Sequence, residues 1–307
     1  MKINVLSSKE YENNDSINYG DCTIIDNEQG SILVYDCGHE KHAERVLKYV
    51  ENNGITKADI ILSHNDDDHY LGIKTLLANK VFDKVYTPLL LKYKTEILEE
   101  LDDNRRNRKS VGESIKKKYD NIADLNDYSD RLVNIYQENS NKFVLLPLIG
   151  VKIVGPDKQF MISTAAKYIN EAESDQVAGE SCTNATCVQV SIENGVNKIL
   201  LTGDSCFEAI EENIKDHNYI QLPHHGKLAQ AEKIFEIKDN RKEVETVYFV
   251  SDNTGNSNGG SDNLNKKGHI LKNTKIDGDI NNIGTTNSYI PQCKNTLGVN
   301  YLWDIFY

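Results

Sequence analysis

Short apolar runs alternate with segments of helical spacing along the first part of the chain. Segments 21–26 and 31–36 have the composition of strands, and polar residues that favour a turn join them. In segment 42–53 the apolar residues recur at helical spacing, and Gly54 follows as a residue that commonly ends helices. Segment 58–62 is a further short apolar strand. These signals predict alternating strands and helices.

The pattern changes after a second expected helix at about 71–80. Residues 91–140 are rich in charged residues with helical apolar spacing, and we interpret them as a helical insertion on a β-rich core. Strand signals return, with a helix expected over 206–217, in the segments 142–154, 186–192, 197–201, 219–222 and 244–250. The polar run 251–265 is expected to be a loop. The whole pattern predicts an α/β chain, taken as a single domain over residues 1–307.

Composition narrows the class of protein. The chain has 307 residues and a net charge of −12, with mean hydropathy −0.55. No apolar run is long enough to span a bilayer, so an integral membrane protein is excluded and no membrane partner is expected. The acidic balance argues against binding nucleic acid over the whole surface. Six cysteines without a C-x-x-C pair, and a start without an apolar leader, indicate free thiols in the cytoplasm.

The strongest candidate for chemistry is the segment H-N-D-D-D-H at 64–69, directly after an apolar strand. Two imidazoles and three carboxylates within six residues supply nitrogen and oxygen donors at the density of a metal site. The same composition also suits an acidic, solvated helix cap with incidental histidines. The segment alone therefore leaves both interpretations open.

Two further strand ends favour the metal site. Asp204 closes an apolar strand, and the pair His224-His225, followed by Gly226, closes the next one. Asp204 alone would suit the N-cap of the following helix, and a lone histidine pair would suit a surface loop. Polar residues at successive strand ends, each beside a glycine, are instead typical of a ligand site.

At this point the sequence resembles the metallo-β-lactamase superfamily of hydrolases. Within it, the chain is most similar to the hydrolase domain of the bacterial competence DNA-uptake protein (the ComEC-like branch), and its H-H-G turn is also similar to that of the phosphorylcholine esterases. The resemblance rests on G-D-C at 20–22, I-L-V-Y-D-C-G at 32–38, S-H-N-D-D-D-H at 63–69, L-L-T-G-D at 200–204 and L-P-H-H-G at 222–226.

The resemblance implies a four-layer αββα sandwich with two divalent metal ions, Zn²⁺ or Mn²⁺, at one edge of its sheets. It implies that Asp204 bridges the ions and that Asp36 orients the ligand loop from behind. The ligands it implies are His64 and Asp66 on the first ion, Asp68 and His69 on the second, and His224 and His225 in an order left open. Asp66 stands where many members have histidine, which shifts the preference towards Mn²⁺ without excluding Zn²⁺.

The implied activity is metal-dependent hydrolysis by a hydroxide that bridges the two ions, with Asp68 as the catalytic residue that orients it. A phosphodiesterase or nuclease is the leading interpretation. The alternatives are a hydrolase of thioesters, lactones or amides, and a non-catalytic metal-binding module that acts through protein interactions. No histidine lies between residues 70 and 203, where many members carry a further ligand, and this favours the last alternative.

Substrate contacts are less defined. Asn184 and Thr186 match an Asn-x-Ser/Thr pattern that precedes the T-G-D strand in the DNA-uptake branch, and Lys227 follows the H-H-G turn where that branch commonly has serine. The segment 104–118 holds seven basic residues and one acidic residue, so it could attract a phosphodiester, or it could be a solvated helix face. The expected partner is a phosphodiester or nucleotide-type substrate, with nucleic acid among the candidates. The oligomeric state is open.

Overall fold

The computed structural model describes residues 1–11, 16–101, 104–170, 175–240, 245–255, 260–264 and 268–285. The first sheet is built from the amino-terminal half of the chain. Its strands, which lie in chain order across the sheet, are β1 (Lys2–Val5), β2 (Thr23–Asp26), β3 (Ser31–Tyr35), β4 (Lys57–Ile61), β5 (Phe82–Thr87) and β6 (Leu132–Asn134). The first two pairings are antiparallel and the next three are parallel.

A second sheet repeats this arrangement in the carboxyl-terminal half. The remaining strands are β7 (Val151–Gly155), β8 (Gln176–Val177), β9 (Glu180–Ser181), β10 (Gln189–Asn194), β11 (Asn197–Leu201), β12 (Tyr219–Gln221), β13 (Val247–Val250) and β14 (Ile270–Asn273). Strands β8 and β9 form a hairpin, and the others form a sheet in the order β14-β13-β12-β11-β10-β7. Strands β7, β10 and β11 pair antiparallel, and β11 to β14 pair parallel.

Helices cover the outer faces of both sheets. Their bounds are α1 (Glu40–Asn52), α2 (Asp67–Tyr70), α3 (Ile73–Leu77), α4 (Lys94–Leu101), α5 (Arg108–Lys118), α6 (Asp120–Asp124), α7 (Lys158–Ile169), α8 (Cys182–Ala185), α9 (Phe207–Ile214), the single turn α10 (Pro223–Gly226), α11 (Leu228–Asp239) and α12 (Thr274–Asp277). Short 3₁₀ turns span Leu90–Tyr93, Leu125–Tyr128 and Gly260–Asn263. No helix among these residues is long and apolar enough to cross a membrane.

The alternation of side chains along the strands accounts for the layers. In β4, Ile61 joins the core between the two sheets, whereas Ile60 packs with the α1 and α3 side. In β11, Ile199 and Leu201 face the same central core, and Leu200 packs with the α9 and α11 side. The chain therefore has two sheets packed face to face between two helical layers, which confirms the αββα sandwich.

The insertion differs from the prediction at its carboxyl-terminal end. Helices α4, α5 and α6 fall within residues 91–140 as expected, but the segment predicted as helical near residues 132–135 contains β6. The reason is tertiary, because β5 presents an unpaired edge and β6 pairs along it, from Val85 with Leu132 to Thr87 with Asn134. The sequence pattern had predicted neither strand.

The strand predicted over 142–154 is also shorter than expected. Only Val151–Gly155 forms β7, and Leu145 and Ile149 are 88% and 96% exposed. Pro147 interrupts the apolar run, which explains why it does not continue a buried strand. Helices α7 and α11 and strand β14 were not predicted. Part of the expected loop 251–265 lies outside the described residues.

Candidate functional site

Polar side chains meet where parallel strands of both sheets end. His64 follows β4, Asp204 follows β11, and His225 follows β12, so three distant segments reach one edge of the sandwich. Carboxyl ends of parallel strands are where ligands bind in open α/β sheets. The structure therefore brings together residues that the sequence placed at successive strand ends.

The donor atoms form three overlapping groups. Within each group the atoms lie within 4.8 Å of one another, and the groups are His64, His69 and Asp204; Asp68, His69 and His225; and Asp21, Asp204 and His225. Nε2 of His69 lies 3.5 Å from Oδ1 of Asp204 and 3.9 Å from Oδ1 of Asp68. The sharing of Asp204, His69 and His225 between groups gives one continuous cluster of donor atoms.

Each of the four imidazoles is held through Nδ1, and its Nε2 lies on the side of an aspartate of the cluster. The Nδ1 contacts are His64 with Ser63 Oγ at 2.9 Å, His69 with Asp36 Oδ2 at 2.8 Å, His224 with Glu180 Oε2 at 2.5 Å and His225 with the Ser251 carbonyl at 3.0 Å. Anchoring at Nδ1 fixes the ring and leaves Nε2 as the available donor, as in metal-ligating histidines.

Several of the inward atoms have no hydrogen-bond partner among the described residues. These are Nε2 of His64, Nε2 of His69 and Oδ1 of Asp204, all of them buried. A buried polar atom without a partner costs free energy comparable to a lost hydrogen bond. A divalent cation would satisfy these nitrogen and carboxylate donors together, so the residues present fit a metal.

The charges of the cluster lead to the same conclusion. Burial lowers the pKa of His69 and of His225, but the neighbouring aspartates, with Asp204 the strongest of them, together outweigh it and raise both pKa values well above the usual range. Burial would raise the pKa of Asp204, yet the imidazoles of His225 and His69 hold it well below normal. Positive charge nearby therefore stabilises the buried carboxylates. Protonated imidazoles supply that charge here, and a bound cation could supply it instead.

Asp36 contacts the loop after β4 through both of its carboxylate oxygens. Its Oδ1 accepts a hydrogen bond from the Ser63 backbone N–H at 2.7 Å, and its Oδ2 accepts the bond from His69. The residue is fully buried and has a positive φ of 58°. It thus orients both the loop after β4 and one imidazole.

Glycines let two backbone segments pass directly under Asp68. A Cβ atom on Gly20 or Gly38 would lie 1.8 Å or 1.9 Å from the Asp68 carbonyl oxygen. In the space that these glycines leave open, the Asp21 N–H donates to the Asp68 carbonyl at 2.9 Å, and the Cys37 N–H donates to the His69 carbonyl at 2.9 Å. Close backbone packing therefore sets the position of the ligand loop.

Replacement of Gly38 by alanine is expected to destabilise the fold by about 2 kcal/mol and to weaken metal binding, because the new methyl group must displace the Asp68 backbone. Thermal unfolding and metal titration measure the two effects. Gly112→Ala is the control. Gly112 lies inside helix α5, where alanine is favoured over glycine, and the new methyl group would contact only the flexible side chain of Lys94. A Gly38→Ala protein as stable as the Gly112→Ala protein would contradict this account.

Glu180 is a buried carboxylate that the sequence did not single out. It lies in the β8–β9 hairpin, contacts Nδ1 of His224 and accepts hydrogen bonds from Lys227 Nζ at 3.0 Å and Gln230 Nε2 at 2.7 Å. Because the carboxylate only accepts, His224 carries its proton on Nδ1 and presents Nε2, which lies 3.9 Å from Asp204 Oδ2. Glu180 therefore orients His224.

Glu180→Gln is expected to weaken metal binding by about tenfold, because the neutral amide holds Nδ1 of His224 less firmly than the carboxylate does. Calorimetric titration with Mn²⁺ or Zn²⁺ measures the change. Glu208→Gln is a matched control, since Glu208 also pairs with a lysine, Lys233 at 2.8 Å, but on the surface. Equal affinities for the two variants would show that His224 needs no such support.

The other predicted site residues occupy different positions. Asp66 is 43% exposed on its side chain and lies 3.5 Å from Nε2 of His64, at the rim of the cluster. Thr186 lines a narrow cleft beside His64. Asn184 is buried, with Oδ1 2.5 Å from Ser181 Oγ, and Lys227 is ion-paired with Glu180. Of the three predicted substrate contacts, Thr186 borders a cleft next to a candidate metal ligand.

The insertion is tied to the ligand loop by hydrogen bonds. Asn121 Nδ2 donates to the Asn65 carbonyl at 2.6 Å and to Asp67 Oδ1 at 2.8 Å, and Asn65 Oδ1 accepts from the Ile122 N–H at 3.1 Å. Asn65 Nδ2 also lies 3.5 Å from the Lys118 carbonyl at the end of α5. The basic carboxyl-terminal turn of α5 thus lies beside the cluster.

Sequence reasoning missed three residues of the site. Asp21 belongs to the G-D-C motif, and its Oδ1 lies 3.2 Å from Nδ1 of His225, so its position before β2 was an available signal. Glu180 has no comparable signal, because its hairpin follows no pattern and its partner is 44 residues away. Asn18, which donates to Asp68 Oδ2 at 2.8 Å, was equally unmarked.

Comparisons with known proteins give one family match and several similar solved structures. Residues 17–157 match the family model described as the metallo-β-lactamase superfamily. One similar solved structure is hydrolase AbOPH in the beta lactamase superfamily, with 15% sequence identity and a TM-score of 0.33 over 60% of this chain and 55% of that chain. A second is BLEG-1 B3 metallo-beta-lactamase, with 11% identity and a TM-score of 0.34 over 74% of this chain and 84% of that chain. A third is the metallo-beta-lactamase fold protein YhfI from Bacillus subtilis, with 12% identity and a TM-score of 0.47 over 91% of this chain and 99% of that chain. The match to hydrolase AbOPH spans about half the length of that protein. No curated protein matches it.

Proposed function

We propose that this chain, a metallo-β-lactamase superfamily protein by its match over residues 17–157, is a metal-dependent hydrolase that cleaves phosphodiesters with two divalent ions. One observation carries the proposal. Four imidazoles anchored at Nδ1 present Nε2 towards buried aspartates, and buried donor atoms of His64, His69 and Asp204 have no hydrogen-bond partner among the described residues. A polar cluster of this kind is costly without a cation.

The proposed ligands divide into two sets. His64 and Asp66 would hold one ion, and Asp68 and His69 would hold the other, with Asp204 shared. The donor groups support this in part, since they place His64 with His69 and Asp204, and Asp68 with His69 and His225, while Asp66 lies 3.5 Å from His64 Nε2 outside them. His225 is the better candidate for the second ion, because its Nε2 lies 3.1 Å from Asp68 Oδ2. His224 lies near Asp204, and Asp21 is an additional candidate ligand. Three aspartates make the set rich in oxygen, which favours Mn²⁺ while still accommodating Zn²⁺.

Bound divalent ions would lower the pKa of a coordinated water and neutralise charge that develops on the substrate oxygens. The protein's own contribution is positional. Asp68 has one oxygen held by Asn18 and His225, and its other oxygen lies 3.9 Å from His69 Nε2. Asp68 would orient the attacking water and accept its proton.

An anionic substrate is supported by the charges beside the cluster. The last turn of α5 carries Lys117 and Lys118, and its end contacts the ligand loop through Asn65. These lysines lie on a chain whose net charge is −12, so they form a local positive region that could attract a phosphodiester or nucleic acid. The H-N-D-D-D-H and H-H-G motifs support an assignment near the competence DNA-uptake hydrolases. The five described cysteines are free, which supports the cytoplasm as the compartment.

The proposal is tested by metal analysis of the purified protein followed by a substrate panel. We expect up to two transition-metal ions per chain, and Mn²⁺- or Zn²⁺-dependent hydrolysis of bis-p-nitrophenyl phosphate. Hydrolysis of nitrocefin or a lactone instead would identify a carbonyl-centre hydrolase. Less than one metal ion per chain, even after metal is added back, would favour a non-catalytic interaction module.

Lys117→Glu is expected to raise KM for a phosphodiester by about threefold to tenfold at low salt with little change in kcat, because it reverses a charge beside the cluster without touching a ligand. Steady-state kinetics at two salt concentrations measures the effect, which should shrink as salt is raised. Lys198→Glu is the control, since Lys198 lies near the start of β11, at the opposite end from Asp204. If Lys117→Glu and Lys198→Glu raised KM equally, the lysines at the end of α5 would have no local effect on substrate binding.

A further inference from the structure

A cavity of about 420 Å³ lies beneath the helical insertion, on the far side of a wall from the metal cluster. Its size falls in the range of pockets that bind small organic molecules. Its apolar walls come from the 3₁₀ turn after β5, the end of α5 and helix α6. The apolar lining residues are Pro88, Leu89, Leu90, Leu91, Ile115, Tyr119, Ile122, Ala123 and Leu132.

The charged residues that line this cavity are all basic. Lys92 and Lys116 line it together with the neutral Asn126 and Ser129, and none of the lining residues is acidic. Within the described part of the chain, the Lys92 ammonium group makes no ion pair, and Lys116 has a long contact of 3.7 Å with Glu113. Both lysines are exposed, so they lie where the cavity meets the solvent.

We propose that this cavity binds an amphipathic anion with a single hydrocarbon chain, of the chemical class of medium-chain fatty carboxylates. The chain would lie against the leucine and isoleucine walls, where burial of each methylene group is favourable by roughly 0.8 kcal/mol. The carboxylate would lie at the opening between Lys92 and Lys116. On a chain with net charge −12, an opening with two cations and no acidic lining residue favours an anion over a neutral or cationic ligand.

The site is distinct from the metal cluster but shares a wall with it. Pro88, Leu90, Tyr119 and Ile122 line both the cavity and the cleft of about 10 Å³ beside His64, a space for about one water molecule. None of the residues that line the cavity is a candidate metal ligand. Binding of the anion therefore requires neither metal nor hydrolytic activity, and the inference stands or falls independently of the proposed function.

The test is calorimetric titration of the full chain with decanoate, in the presence of a chelator and below the concentration at which decanoate forms micelles. We expect saturable binding of one decanoate per chain. Ala123→Trp, which fills the cavity, should weaken binding at least tenfold. Leu145→Trp is the matched control, because Leu145 is 88% exposed and outside the cavity, and it should bind as the wild type does.

The anionic head group is tested by Lys92→Ala and Lys116→Ala. Each should weaken decanoate binding by roughly twofold to fivefold, the range expected of an exposed ion pair, and should leave binding of decanol unchanged. Ser129→Trp provides a second filling variant if Ala123→Trp does not fold, as judged by thermal unfolding. Undiminished decanoate binding in a folded filling variant would overturn the site, and equal binding of decanol and decanoate would overturn the anionic ligand.

Discussion

Asp68→Asn is expected to lower kcat for phosphodiester hydrolysis by about a thousandfold, within the range measured for loss of a general base. Asparagine keeps the shape of the side chain and one accepting oxygen, but it cannot take a proton from water. The neighbouring groups explain why Asp68 is ionised and available. Burial would raise its pKa, but the imidazoles of His69 and His225 hold the pKa well below the usual value.

KM should change much less than kcat in the same variant, because Asp68 acts on the attacking water rather than on the bound substrate. The rates must be compared at equal metal content, measured on the same samples, since Asp68 is also a proposed ligand. Asp67→Asn is the control. Asp67 lies in the same turn, but its carboxylate is bound by Asn121 outside the cluster. A metal-loaded Asp68→Asn enzyme with wild-type kcat would refute the assigned role.

Strand ends could be predicted from the sequence because they depend on local patterns. The apolar run 58–62 followed by H-N-D-D-D-H marks both β4 and its ligands, and the apolar runs before Asp204 and before His224 mark β11 and β12. Parallel pairing of β11 with β12 then requires those two ends to lie side by side. The meeting of His225 with Asp68, which are 157 residues apart, could be inferred only through the family resemblance.

Other features depend on contacts that leave no local signal. Strand β6 exists because β5 offers an edge to pair with, although its sequence also suits a helix. Glu180 is a conventional surface residue type, yet it is buried because His224, Lys227 and Gln230 surround its carboxylate. Such residues become recognisable only when the fold brings their partners to them.

The insertion shows how local and tertiary information combine. Its helices follow from helical spacing, but their function as a support for the ligand loop follows from hydrogen bonds of Asn121 and Ile122 with Asn65. Asn65 is the one residue of the 64–69 segment without a charge or an imidazole, and it was assigned no role. Its amide side chain instead joins the insertion to the site, both donating to Asp120 and accepting from Ile122.

Asp204→Asn is expected to abolish most of the metal-dependent stabilisation of the fold. Asp204 belongs to two of the three donor groups, so its loss removes one donor from each of those two groups. In the wild type, metal at about a hundred times its Kd should add roughly 2.7 kcal/mol to the free energy of unfolding. For a chain of this size that corresponds to an increase in Tm of roughly 4 °C.

In the variant the increase in Tm with added Mn²⁺ or Zn²⁺ should nearly disappear, and bound metal per chain should fall in parallel. Without metal, the variant should be less stable than the wild type, because the imidazoles of His225 and His69 lose the buried carboxylate that they attract, so each protein's gain in Tm is measured from its own metal-free Tm. Asp127→Asn, an exposed aspartate in the 3₁₀ turn after α6, should keep the full metal response. If Asp204→Asn binds as much metal as Asp127→Asn and gains as much in Tm, the aspartates and histidines at these strand ends do not form a shared cation site.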